Sequence, residues 1–178
     1  MNATMKTPPL ILTAAVSLLA ALPAFATEPA KAPGKVEVIF AKAPDKYIDV
    51  RDAFSASEKG QAANLDGLKQ YLEERGNQLV PDGQKLIVTL TEVDLAGDFE
   101  PWRDPAMNDV RIVKDIYPPR IDLEFKLTGA DGKVIKEGKR ELRDLAFMMK
   151  LSIHRDDPFR HEKQLLNEWL TRELKPAK

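Results

Sequence analysis

The chain contains no cysteine, which removes disulfides, thiolate metal centres, cysteine nucleophiles and lipid attachment through a cysteine from consideration. Serine is scarce: past position 26 only Ser55, Ser57 and Ser152 occur, and none stands in a Gly-x-Ser-x-Gly elbow, so acyl transfer has no visible nucleophile. The two histidines, His154 and His161, are separated by Pro158, which interrupts a continuous helix. Zinc needs a third protein ligand and no His-Glu-x-x-His is present, so metalloprotease chemistry is disfavoured. A glycine-rich phosphate loop is also lacking. So is an excess of one charge: 27 basic residues stand against 28 acidic ones. A nucleic-acid binder would carry a marked basic surplus, as would a module held to anionic lipid, so neither class is expected.

What the chain does have begins at its start. A lone cation, Lys6, precedes a run from Leu10 to Leu22 that carries no charge, followed by Pro23 and the small-residue pattern Ala24-Phe25-Ala26. That order is the one of a secretory signal peptide. The run of 13 residues is shorter than the roughly 18 to 20 needed to cross a bilayer, so no permanent membrane anchor is expected. No twin-arginine pair precedes it, and the general secretion route is the simpler assumption. Residues 1–26 are therefore read as a signal peptide cut after Ala26. The mature chain of 152 residues, a length suited to one domain, is periplasmic or secreted.

Residues 27–34, TEPAKAPG, show no apolar period and read as a flexible leader, so a single domain is expected over residues 35–175. Val36, Val38 and Phe40 alternate with Glu37 and Ile39 as a short strand. After the loop AKAPDKYIDVRD, Ser55 with Glu58 matches a capping box. Ala62, Leu65, Leu68 and Leu72 share a helical stripe, and Gly76 stands where a C-terminal cap belongs. Lys85 to Leu95 is the strongest strand, with Leu86, Val88 and Leu90 facing one way and Ile87 and Val93 the other. That pattern predicts a central strand covered on both sides or a bulge near Thr91. Asp109 to Tyr117 places Val110, Ile112 and Ile116 on one face. Arg120 to Thr128 then alternates Ile121, Leu123, Phe125 and Leu127 against charged residues, one buried face and one wet.

Asp131-Gly132 signals a two-residue hairpin turn. Such a turn sets Lys126 opposite Glu137, Glu124 opposite Lys139 and Phe125 opposite Gly138, a register in which opposite charges face each other. The returning strand, Val134 to Leu142, carries Lys136 and Arg140 on its inward side, as edge strands do to resist further pairing. Asp144 can cap a short segment from Leu145 to Leu151. Asp157-Pro158 reads as the start of a last helix with Leu166, Trp169, Leu170 and Leu174 as its apolar stripe. Strand, helix, three or four strands in meander, helix: the order predicts an α+β domain, a mainly antiparallel sheet of four to five strands with helices packed on one face.

The segments Val36-Glu37-Val38-Ile39-Phe40, Thr91-Glu92-Val93-Asp94-Leu95-Ala96-Gly97-Asp98, Asp109-Val110-Arg111-Ile112-Val113 and Pro119-Arg120-Ile121-Asp122-Leu123, with Glu162-Lys163 and Trp169, resemble the secreted bacterial family catalogued as domain of unknown function 3016. The resemblance spans nearly the whole mature chain. It implies an exported protein of a Gram-negative envelope and carries no activity, cofactor or ligand.

The candidate site is the connection from Ala96 to Asn108, AGDFEPWRDPAMN, about 13 residues long without a regular pattern, a length typical of functional loops. Trp102 either folds back over the core as a lid or, with Phe99 and Arg103, anchors a ligand or partner, since Trp and Arg dominate binding hot spots. Glu92, Asp94, Asp98, Glu100, Asp104 and Asp109 crowd carboxylates into the same stretch, which suits a hard cation such as calcium, although the spacing is not that of an EF-hand. Asp94 and Asp98 are the candidate metal ligands, against the alternative of solvated surface charge. Asp122 with Arg111 or Arg120 forms either a cross-strand salt bridge or part of a polar binding surface. Carboxylate pairs for glycoside hydrolysis are recognised by their separation in space, which sequence does not give.

These features point to a non-enzymatic binding or envelope-interaction module without a cofactor, its partner an envelope protein or a small ligand. The rival expectation is a small cation-dependent hydrolase or metal-binding protein built around Asp94.

Overall fold

Alternation of apolar and polar residues places four segments in one sheet. In the computed structural model, which describes residues 34–51, 57–103, 108–151 and 156–174, the elements run β1 (Val36–Phe40), α1 (Glu58–Leu79), β2 (Lys85–Asp94), β3 (Asp98–Phe99), β4 (Arg111–Ile112), β5 (Arg120–Thr128), β6 (Val134–Arg143) and α2 (Arg160–Glu173). The expected signal peptide and most of the leader lie outside the described residues. Among the described residues, no helix is long and apolar enough to cross a membrane. The main sheet has the order β1-β2-β5-β6, with β1 parallel to β2 and the other pairs antiparallel. The short strands β3 and β4 pair separately. The fold is therefore α+β, as the element order predicts.

The inward faces of the strands meet both helices in one apolar cluster. Leu86, Val88, Leu90, Ile121, Leu123 and Phe125 pack with Leu65, Leu68 and Leu72 of α1 and with Leu166, Trp169 and Leu170 of α2. The Trp169 ring stands edge-on to Phe125, centroids 5.7 Å apart. Full burial of such side chains stabilises by roughly 1.5 to 3 kcal/mol each, which is why the periodic segments set the fold. The pairing of β2 with β5 slips between Leu90 and Glu92, so Thr91 is the expected bulge. The extra residue returns Val93 to the face of Leu90, and one face, not two, carries the core.

Several local expectations change. Ser55 lies outside the described residues, and the cap of α1 is Ser57, whose hydroxyl accepts from the Gly60 N–H at 3.2 Å. The helix continues to Leu79, past Gly76, so that glycine is not a terminator. A Cβ there would come within 2.7 Å of Val36 Cγ2, so glycine lets α1 lie against β1. The stretch Asp109–Tyr117 contributes only the two residues of β4. Those two residues pair with β3 apart from the main sheet, and Val110 and Ile116, outside the pairing, stand in solvent.

The β5–β6 register is the expected one, Lys126 with Glu137, Phe125 with Gly138 and Glu124 with Lys139. The turn differs: Gly129 N–H donates to Lys133 O and Gly132 N–H to Gly129 O, with Gly132 at φ +75. A register shift beside Thr128 compensates the longer loop and restores the pairing beyond it. Lys136 and Arg140 do point inward and both reach Glu173 at the end of α2, at 2.6 Å each. Asp144 accepts from Ala146 N–H and starts only a single 3-10 turn, Phe147–Met149. Asp157 accepts from Phe159 N–H ahead of α2.

Candidate functional site

Where β2 ends, the chain must turn sharply, and Gly97 does this at φ +86. A Cβ at that position would lie 2.8 Å from Ile112 O, so the close approach of β4 also requires glycine. The turn brings β3 against β4 and sends the following loop over the end of the sheet. Glu100 ties that loop down. Its carboxylate, 3% exposed, accepts from Lys114 Nζ, from Tyr117 Oη at 3.0 Å and from Arg103 Nη1 at 3.1 Å. The Lys114 hydrogen bond holds the Glu100 carboxyl below its usual range.

Arg111 ties neighbouring segments together. Nη2 donates to Asp49 Oδ2 at 2.7 Å and to Arg51 O, and Nη1 donates to Gly97 O at 2.7 Å. Its guanidinium lies 4.8 Å from the Phe99 ring centroid, and that of Arg51 lies 4.0 Å from the same centroid. Beneath them Glu162, 1% exposed, accepts from Ala96 N–H at 2.6 Å through Oε1. Burial pushes its carboxyl pKa up, which favours the protonated form.

Asp49, Arg51, Gly97 and Phe99, which Arg111 touches, also line a cleft of about 990 Å³. Its walls come from the segment after β1 (Tyr47, Ile48), the loop after β3 (Trp102) and the segment before β5 (Ile116, Tyr117). Asp49 pairs with Asp94, Asp94 with Arg120, and Arg120 with Arg143. Partners directly opposite share a face of the sheet, so four charged side chains that all line the cleft form a row across it, two acids followed by two bases. Asp49 is engaged by Arg111. Arg120 is engaged by Asp122, Nε to Oδ1 at 3.1 Å. The Asp94 carboxylate has no hydrogen bond or ion pair to a described residue, and burial, followed by the charge of Asp49, pushes its pKa up to about 6.

Of the residues singled out from sequence, Phe99, Trp102, Arg120, Asp94 and Asp98 all line the cleft. Trp102 is 71% exposed, so it does not cover the core. Arg103 is held by Glu100, and Asp98 accepts from the Phe99 N–H. Arg111 reaches Asp49, not Asp122, and the bridge that does form, Arg120 with Asp122, joins two residues of one strand. Asp104 lies outside the described residues, and among the described residues no three His, Asp or Glu side chains are grouped to hold a metal ion.

Sequence reasoning missed Asp49, Ile48, Tyr47 and Arg143. The first three sit in a stretch read as plain loop; Tyr47-Ile48-Asp49-Val50 has no period-2 alternation, and its single bridge to β2, with Asp49 N–H donating to Val93 O, leaves no local signal. Arg143 was implied by the hairpin register, which places it opposite Arg120.

A family model described as a protein of unknown function, DUF3016, matches residues 34–172. The chain belongs to the DUF3016 family. The matched range runs from the start of β1 to the last turn of α2 and contains every residue that lines the cleft, so the cleft lies within the DUF3016 unit itself. No curated protein and no solved structure matches the chain.

Proposed function

We propose that this DUF3016 protein is exported, with residues 1–26 as its cleaved signal peptide, and works in the cell envelope as a non-enzymatic binding module. Its ligand or partner seats in the cleft beneath Trp102. The observation that carries this reading is the rim. Ile48, Trp102 and Ile116 are 56%, 71% and 65% exposed, come from three separate segments, and border one cavity. Convergent exposed apolar side chains beside polar groups mark interaction sites, and tryptophan is a common anchor of them. Most of the charged groups nearby are already engaged: Glu100 with Lys114 and Arg111 with Asp49 hold the loops in place, and Arg120 is paired with Asp122 along β5. That favours a rigid receptor over a reacting centre.

Affinity capture from a periplasmic extract, comparing the wild-type chain with Trp102→Ala, tests the cleft. A partner retained by the wild type and lost by the variant is expected, and partner sets identical for the two would overturn the reading. Export is checked by N-terminal sequencing of the native protein, which should begin at Thr27. An intact chain with Met1 in the cytosol would end the envelope role.

A further inference from the structure

We propose that the cleft takes a zwitterion of the short-peptide class, two to three residues with both termini free, its ammonium against Asp94 and its carboxylate against Arg143. This rests on the reading of the cleft as a binding site. Along the row Asp49, Asp94, Arg120, Arg143, the first and third members already have partners in Arg111 and Asp122. Among the described residues Asp94 and Arg143 have no ion pair, so the row presents one such acid and one such base on the same face.

The spacing selects the ligand. Asp94 and Arg143 sit two strands apart, roughly 10 Å at about 4.8 Å per strand. An extended peptide covers at most about 3.3 to 3.6 Å per residue, so two or three residues bridge the distance. A simple cation would meet Arg120 and Arg143 in the same cleft, and a simple anion would meet Asp94 and Asp98. Only a ligand carrying both charges in the matching order is favoured throughout. Ile48, Trp102 and Ile116 on the rim then cover its side chains. The ammonium also relieves Asp94, where burial and the charge of Asp49 outweigh the more distant Arg111 and Arg120.

Trp102 reports the event, because the other tryptophan, Trp169, is buried in the core. The mature protein is titrated with Ala-Leu-Ala carrying free termini, with its N-acetylated form, with its C-amidated form and with leucine alone, following tryptophan fluorescence. The free tripeptide should bind, and each blocked form and leucine should bind at least tenfold more weakly. Asp94→Asn should abolish the discrimination against the acetylated peptide and leave that against the amide; Arg143→Gln should do the reverse. Circular dichroism of both variants confirms that they are folded.

No response to the free tripeptide at millimolar concentration, equal binding of all forms, or loss of both discriminations in either variant would overturn the proposal. A partner captured through Trp102 in the presence of any of those results removes the peptide and leaves the binding module standing. Absence of both removes the module as well.

Discussion

The helix-covered face of the sheet and the cleft at its end are built from the same strands by opposite means. On the covered face Leu86, Val88, Leu90, Ile121 and Leu123 are packed against α1 and α2 with almost no exposed surface. At the cleft, large apolar side chains stand in solvent and the backbone is held instead by charged groups: Glu100 by Lys114 and Tyr117, and Arg111 by Asp49 and the carbonyls after β2. The first region stabilises the fold by removing apolar area from water. The second leaves apolar area available, which stability alone gives no reason to do.

The largest expected effect tests the covered face. Leu123→Ala removes a fully buried side chain and should cost about 2 to 5 kcal/mol in urea unfolding, whereas Ile116→Ala at the cleft rim should stay within about 0.5 kcal/mol. A cost below about 1 kcal/mol for Leu123 would erase the distinction. Arg111→Ala comes next. It strips Asp49 and several carbonyls of their donor in a nearly buried setting, so a loss of roughly 2 to 3 kcal/mol is expected. Near-neutral unfolding of this variant would show that the loops hold their place without the guanidinium.

The same contrast separates what was legible in the sequence from what was not. Alternation from Arg120 to Thr128 and the opposed charges of Lys126 with Glu137 and Glu124 with Lys139 are local patterns, and the structure keeps them even though the turn is longer than a two-residue loop. The bulge at Thr91 was legible for the same reason: Leu90 and Val93 cannot share a face without it. The stretch Asp109–Tyr117 was misleading because periodicity says nothing about which strand, if any, pairs with it. Trp102, Phe99, Asp94 and Arg120 were found as chemistry-bearing residues, but their convergence with Ile48 and Asp49, some fifty residues away, depends on β1 running parallel to β2, and a parallel pair leaves no mark at its turn. Gly76 shows the limit from the other side: a glycine near a helix end resembles a cap, and only the packing of Val36 reveals its use.

A smaller effect sharpens the comparison through pH. The ordinary value for an aspartate is 3.8, and Asp94 in the folded protein is raised to about 6 by burial and by Asp49. Below the lower value both folded and unfolded chains hold the proton. Between the two, only the folded chain does, so the stabilisation from this group is lost as pH rises through about 6 and stays lost above it. Asp94→Asn should therefore gain about 1 kcal/mol at pH 7, the full shift being discounted for solvent screening at a half-buried site, and should flatten the slope of stability between about pH 4 and 6. Melting scans of both proteins across that range decide it, and parallel curves would mean that Asp94 titrates as a surface carboxylate.

The smallest effect on stability belongs to the residue expected to matter most for binding. Trp102 is largely exposed, so Trp102→Ala should change unfolding by no more than about 0.5 kcal/mol. Its removal should also shift the remaining emission toward the blue, because Trp169, buried on α2 against Phe125, is then the only indole left. A cost above about 1 kcal/mol would mean that the ring packs on the protein after all and belongs with the covered face. A neutral result means an exposed tryptophan, lining the same cleft as the acidic and basic row, that contributes nothing to the folded state by itself. The use of such a residue then has to be sought in what fills the cleft.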